Sequence, residues 1–466
     1  MLFNSLPFLI FLPSVVLLYY LLPHRSRWVV MLAASYFFYG YWKIEYLTLI
    51  VASTTVDYFA ARLIYSSEAV IKKRIGLAMS LLSNLGLLAF FKYSGWVVED
   101  IIDPIIGLSE GQLHQFHSLW DFVLPVGISF YTFQTLGYTI DVYYGKTAPE
   151  RNPLKFALFV SYFPQLVAGP IERFSNLQRQ LFEKVDFDYE HFQHGGRLIL
   201  YGLFIKMCVA DNVSPIVDQV FNQTEDASSL QLIFGMLLFG IQIYSDFHGY
   251  SLIAIGTARL FGVHLMDNFN APYTSLSIRE FWSRWHISLS TWFRDYLFIP
   301  LGGSRGGRMK LVVNISIVFL VSGLWHGANW TFVVWGGLHG AAYLLERWMA
   351  PNPSSNPIKM LRWALTMCIV FVAWIFFRSA DLTHAIDFLS NMVSSDSKGL
   401  NLNWDPILPT LIGLFILSDL YFRDRSIHSW LATQSTLVRW SVYGLLLFFI
   451  SGFAGAVQHP FIYFQF

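Results

Sequence analysis

Charge is scarce in this sequence. Only 13% of its 466 residues are Asp, Glu, Lys or Arg, about half the share in an average soluble domain. With a net charge of +1 and no basic arm or stripe, nucleic-acid binding has no electrostatic footing. Cysteine is rarer still. Cys208 and Cys368 both sit in apolar stretches at no metal-ligand spacing, which excludes a disulfide framework and predicts two small core residues. No H-E-x-x-H occurs, so a zincin-type metal site is excluded. There is no soluble domain, low-complexity tail or evident inverted repeat, and residues 1–466 read as one membrane domain.

Apolar residues fill the space. The chain is 55% hydrophobic and 18% aromatic, with 43 Phe and 16 Trp, which predicts an integral membrane protein. The apolar segments are 6–22, 28–42, 46–63, 75–91, 122–140, 156–171, 198–209, 230–244, 247–258, 311–345, 364–377, 407–418 and 440–466. Several are shorter than the roughly 20 residues a spanning helix needs, which points to about ten to twelve true spans plus re-entrant or tilted half-helices. The first segment has no positive leader and reads as a retained span. The HRSR that follows places Arg25 and Arg27 in the cytoplasm. Lys72, Lys73 and Arg74 read as cytoplasmic too, and the acidic stretch 99–121 as external. Residues 171–197 read as a cytoplasmic loop with short amphipathic helices.

Residues 311–345 contain no charge at all. As one helix they would reach about 50 Å, against a hydrocarbon core of about 30 Å. Two helices with a break are therefore predicted, and Gly327-Ala328-Asn329 is the place for it. With Arg308 and Lys310 at the cytoplasmic edge, His326 lies about 22 Å into the membrane. One reading of His326 is a hydrogen bond across a helix interface, packed through Gly323 and Gly327. The other is chemistry. Small neighbours (Ser322, Gly323, Gly327, Ala328) leave room for a thin substrate, Trp325 and Trp330 wall the passage, and a desolvated imidazole stays neutral, as a general base must. His339 has the same glycine frame, but thirteen residues turn it about 220° away on a continuous helix. It reads as a packing residue.

A second constellation is FWSRWHISLSTWFRDYLFIPLGG, residues 281–303. At helical spacing His286, Ser290 and Arg294 form a polar stripe, and Trp282, Trp285, Leu289, Trp292 and Tyr296 an aromatic surface. The segment reads as an amphipathic helix at the interface or against a polar cavity, with Arg294 and Asp295 as a charge pair held at depth. QLVAGPIERF (165–174) and YSDFHGYS (244–251) each interrupt apolar sequence with charge. Asp246, His248, His286 and His326 include no sequence-local ligand pair at metal spacing, so no metal is expected.

These stretches, with DNFNAPY, SGLWHGANWTFVVWGGLHG and PFIYFQF, resemble the membrane-bound O-acyltransferase family, in its bacterial alginate O-acetyltransferase branch. The likeness extends to MLFNSLPFLIFLPSVVLLYY and LPVGISFYTFQTLGYTIDVY and so covers nearly the whole chain. It implies an all-α polytopic fold, a ring of helices with re-entrant half-helices around a central tunnel. In the family the W-H-G histidine, here His326, is catalytic, and the histidine of R-W-H-I-S, here His286, lines the same cavity. One departure is His248, where the family pattern has Ser in F-S-G-Y.

The resemblance implies transfer of an acetyl group from cytoplasmic acetyl-CoA to hydroxyls of an exported or surface polysaccharide, in the bacterial inner membrane. It implies no metal or prosthetic group. A separate periplasmic esterase-like (SGNH-type) acetyltransferase is the expected partner. His326 is the expected base, with Ser290, Arg294, Asp295, Trp325 and Asn329 as candidate substrate-binding residues. Charge and probable side single out Arg305, Arg308 and Lys310 for the phosphates of the donor. A transporter using Asp246, His286 and His326 as a relay is the alternative of a different class. The absence of paired, symmetric broken helices counts against it.

Overall fold

The computed structural model describes residues 1–106, 125–167, 169–348, 355–394, 399–402, 404–453 and 460–464. Its regular elements are helices throughout, with no strand among the described residues. Among the described residues seven helices are long and apolar enough to cross a membrane: Tyr46–Ser66, Val70–Ile102, Tyr189–Asn222, Ser229–Leu260, Arg308–His326, Asn356–Arg378 and Thr436–Phe453. Leu6–Leu21 and Leu408–Phe422 are shorter apolar helices. The protein is therefore an all-helical, multi-pass membrane protein. Most of the acidic stretch expected outside the membrane, from residue 107 on, lies outside the described residues, as does the start of the apolar segment 122–140.

Three sequence expectations change. Residues 230–244 and 247–258 form one helix, Ser229–Leu260, that runs straight through Asp246 and His248. A charge need not end a buried helix when another helix supplies its counter-ion, and Asp246 has one. Likewise the short segment 198–209 is the middle of a 34-residue helical run, Tyr189–Asn222, so it needs no re-entrant geometry. Cys208 is buried as expected, but Cys368 is exposed on an apolar helix and is not a core residue.

Contacts divide the chain into two compact units. The first comprises residues 1–192 and 257–266. Ser5 caps its opening helix, accepting from the Phe8 amide at 3.4 Å, and a proline occupies the first turn, where no intrahelical donor is needed. Between Tyr46–Ser66 and Val70–Val97 lies a buried polar knot. Asn84 donates to both oxygens of Asp57 at 2.9 and 2.8 Å, Ser80 donates to Asp57, and Ser53 donates to Asn84 at 2.6 Å. A carboxylate at such depth persists because its acceptors are satisfied.

The second unit comprises residues 193–256 and 267–466. The predicted break in the uncharged run is present: Arg308–His326 ends at the histidine and Trp330–Trp348 begins after three intervening residues. The two helices pack through glycine. A Cβ on Gly323 would sit 2.2 Å from the Phe332 carbonyl oxygen, and one on Gly336 would sit 2.3 Å from that of Phe319. Small residues serve here to bring backbones together where lipid supplies no hydrophobic drive.

Candidate active site

His326 is the last residue of its helix and only 3% exposed. Its ring is surrounded by Trp325, Trp335, Phe377 and Tyr463, with centroids 4.8, 4.9, 5.4 and 5.6 Å away. The neighbouring glycines do not leave an open passage, as the sequence was read to imply. Gly327 faces the Phe332 ring so closely that a Cβ would lie 1.9 Å from it. What surrounds the imidazole is aromatic. Trp330, expected as a wall, is 44% exposed.

His286 reaches the same cluster by a different route. The expected continuous amphipathic helix over 281–303 is broken in two, Ile278–Arg284 and Ile287–Phe293. His286 sits between them with φ 41° and ψ 55°, a left-handed conformation that a non-glycine residue adopts only when its surroundings hold it there. Asn268, from the D-N-F-N segment, is what holds it. Its backbone carbonyl accepts from the Ile287 amide at 2.9 Å, and its Oδ1 accepts from the Ser288 hydroxyl at 2.6 Å. Asn268 is itself fixed by donating to Ser251 at 3.0 Å. Ser277 starts the first half-helix by accepting from the Glu280 amide at 3.0 Å, and the Glu280 carboxylate reaches back to the Leu276 amide at 2.9 Å. The expected surface-facing aromatics are core: Trp285 and Leu289 are fully buried, and Trp292 and Tyr296 nearly so.

The kink turns a fully buried imidazole toward Phe247 (4.7 Å) and Trp325 (6.1 Å). Two ring bridges thus join the histidines. One is Trp325. The other runs from Phe247 to Tyr463 (4.8 Å) and on to His326 (5.6 Å).

Tyr463 belongs to the C-terminal segment 460–464, which is anchored from inside. The Ile462 amide donates to Asp246 at 2.7 Å. Lys206, 1% exposed, stands between Asp246 and Asp211 at 2.7 and 2.6 Å. Asp246 was legible as unusual. Lys206 and Asp211 were missed, because nothing local in FIKMCVAD marks them as partners of a helix forty residues away.

Other candidates fall elsewhere. Arg294 and Asp295 do pair, at 2.8 Å, but the arginine side chain is 60% exposed, so the pair is not held at depth. Ser290 turns back to the Trp285 carbonyl at 3.3 Å. Asn329 caps the second helix, accepting from Thr331 at 3.0 Å and donating to the Ala380 carbonyl at 2.7 Å. Both ends of its amide are thereby engaged. His339 is fully buried, accepts from Trp282 Nε1 at 3.3 Å and stacks at 6.0 Å on Phe281, a packing residue. Its ring nevertheless touches Trp335 at 5.0 Å. The two histidines flank one tryptophan because the break folds the chain back, and the angle computed for one straight helix does not apply. His248 stacks on Tyr244 at 5.3 Å.

Arg305 lies on an exposed loop whose Gly302, Gly303, Gly306 and Gly307 all have positive φ, and Arg308 and Lys310 are exposed in the first turn of the helix that follows it. None of the three cations pairs with a carboxylate among the described residues. Asn314 clamps the loop through the Gly303 carbonyl at 2.8 Å. GGSRG matches the letters of a hydrolase elbow, but no strand precedes it and Ser304 is exposed, so the elbow's geometry is missing. The loop stands at the far end of the 19-residue His326 helix, about 27 Å away. Among the described residues no three His, Cys, Asp or Glu side chains converge as a metal site.

Comparison with known proteins gives consistent matches. The model of the membrane-bound O-acyltransferase family matches residues 150–382. The chain is 40% identical over 396 residues to the "Probable alginate O-acetylase AlgI" of Azotobacter vinelandii, covering 84% of this chain and 78% of that one. It is 36% identical to the peptidoglycan O-acetyltransferase of Helicobacter pylori, with 86% and 81% covered. It is 26% identical to the teichoic acid D-alanyltransferase of Bacillus subtilis, with 60% and 74% covered.

Proposed function

Because this chain belongs to the membrane-bound O-acyltransferase family and is thus an O-acyltransferase, we propose that it acetylates the hydroxyls of an exported or cell-surface polysaccharide. The donor is acetyl-CoA, taken from the cytoplasm, and the protein resides in the bacterial inner membrane as a single membrane domain. A periplasmic esterase-like protein receives or delivers the acetyl group. The alginate and peptidoglycan acetylases among its relatives support the acceptor class.

One observation carries the catalytic reading. Beside the His326 ring lie two buried donors, Trp335 Nε1 and the Tyr463 hydroxyl, that have no hydrogen-bond partner among the described residues. Buried donors are normally satisfied, and acyl transfer needs donors aimed at an oxygen that gains charge. In the proposed reaction His326 takes the proton of the acceptor hydroxyl. The oxygen bonds to the thioester carbonyl carbon, the carbonyl oxygen becomes an oxyanion facing these donors, and the C–S bond breaks to release the thiol. His286 orients the reacting groups across Trp325, which touches both imidazoles.

Arg305, Arg308 and Lys310 are proposed to meet the donor phosphates, which requires an extended donor. Fifteen or so bonds of a pantetheine arm stretch to roughly 19 Å, and an arginine side chain adds about 6 Å. That nearly spans the helix. The test is vesicle orientation. Inverted vesicles should consume added acetyl-CoA and release free thiol, and sealed right-side-out vesicles should not. Equal consumption in both would refute a cytoplasmic donor site.

A further inference from the structure

The first unit contains a cavity of about 200 Å³, lined in part by Tyr19, His24, Arg25, Arg27, Lys155 and Phe182. Three cations converge on it, and none forms an ion pair with a carboxylate among the described residues. Aromatic and carbonyl groups hold two of them instead. The Arg27 guanidinium lies 5.0 and 5.4 Å from the ring centres of Tyr19 and Tyr20 and donates to the Leu22 carbonyl at 3.1 Å. Lys155 Nζ stands 4.5 Å over Phe182. His24 Nδ1 is buried with no hydrogen-bond partner among the described residues. The helix His24–Gly40 starts at this point with neither a side-chain cap nor an acidic residue in its first turn, so its dipole adds to the positive field.

Cations gathered with no carboxylate ion pair among the described residues, beside an unused imidazole nitrogen and an uncapped helix start, fit a phosphate. The volume equals about seven waters, enough for a phosphate with a small alcohol and too little for a nucleotide. The surface beside it is greasy. Leu17, Leu18 and Leu21, at the end of the helix leading into the cavity, are 61, 50 and 70% exposed. Leu17 and Leu21 share one helix face.

We propose that this cavity binds the phosphate of an anionic phospholipid, whose acyl chains lie along Leu17 and Leu21. A free phosphate compound would use the same cations but leave the leucines idle. The experiment is native mass spectrometry of the purified chain with phosphatidylglycerol, with phosphatidylcholine, and with glycerol 3-phosphate as a soluble phosphate probe. Phosphatidylglycerol should be retained in preference to phosphatidylcholine. In the Arg25→Gln, Lys155→Gln double variant its affinity should fall about 30-fold, about fivefold per charge. Arg27 is left intact because it also ties the backbone. Arg74→Gln, the same charge change outside the cavity, should alter nothing, and an unchanged elution profile shows that each variant folds. The proposal is overturned if both lipids are held equally, if the double variant keeps its phosphatidylglycerol, or if glycerol 3-phosphate displaces it.

Discussion

Removing the Lys206 ammonium should damage the protein more than removing either carboxylate beside it. Lys206 is 1% exposed and lies 2.6 and 2.7 Å from Asp211 and Asp246. One positive and two negative charges leave the cluster at −1. Lys206→Met would leave two like charges facing each other out of water, and breaking a buried pair in this way costs about 3–5 kcal/mol. Asp246→Asn leaves Lys206 with Asp211, a neutral cluster. Its cost is the charge-assisted bond from the Ile462 amide, 2.7 Å long, about 1.5–3 kcal/mol. The triple variant Lys206→Met, Asp211→Asn, Asp246→Asn removes every charge and should recover much of the loss of Lys206→Met, because uncharged replacements of buried ion clusters are often tolerated. The assay is thermal unfolding in detergent together with monodisperse yield. Activity separates two roles. If Asp246 anchors the segment that sets Tyr463 against His326, Asp246→Asn should lose turnover beyond its loss of stability. Equal midpoints for Lys206→Met and Asp246→Asn, or a triple variant no better than Lys206→Met, would refute the electrostatic reasoning.

Three further outcomes are expected. Gly323→Ala should cut folded yield, costing about 1–3 kcal/mol of overpacking against the Phe332 carbonyl, whereas Gly337→Ala, with nothing within 4 Å of its added carbon, should not. Yields of the two variants compared side by side decide this. His339→Ala should lower the thermal midpoint while keeping part of the turnover, since its ring packs on Phe281 and accepts from Trp282; lost turnover at an unchanged midpoint would place it in the chemistry. Glu172, outside the spans and 2% exposed, accepts from Met266 and Asn176 at 2.6 and 2.7 Å, and burial raises its carboxyl above the ordinary 4.5 despite those bonds. A raised folded value means that this group's stabilising contribution is full below pH 4.5 and is lost as pH rises through the folded value. Thermal midpoints of wild type and Glu172→Gln should therefore diverge above that pH, with the variant the less pH-dependent, and parallel curves would argue against it.

The membrane class and the break before Trp330 were legible because both follow from length and charge alone. A stretch of 35 uncharged residues cannot span as one helix, and Gly327-Ala328-Asn329 is where the structure divides it. His326 and His339 stood out for the same reason, as imidazoles in apolar sequence. Partners distant in the chain were not legible. Lys206 sits inside an apolar run and becomes meaningful only when packing brings Asp246 to it. Asp246 was read as interrupting a helix that in fact passes through it. The left-handed turn at His286 carries no local signal, since glycine usually marks such turns; Asn268 imposes it from another segment. Glycines near His326 read equally well as space or as contact, and only what packs across from them, the carbonyl and the ring of Phe332, decides for contact. Arg294 beside Asp295 fixed the pairing but not its exposure.

The central claim, that His326 is the general base of acetyl transfer, is tested most directly by turnover of His326→Gln. Glutamine keeps a polar side chain among the rings of Trp325, Trp335, Phe377 and Tyr463 but cannot take up a proton; His326→Ala would also open a cavity there. Thiol release from acetyl-CoA and acetylation of the polysaccharide should both fall by about 10²–10⁴-fold, the usual weight of a positioned base, at unchanged folded yield. Near wild-type turnover in a well-folded His326→Gln protein would contradict the account.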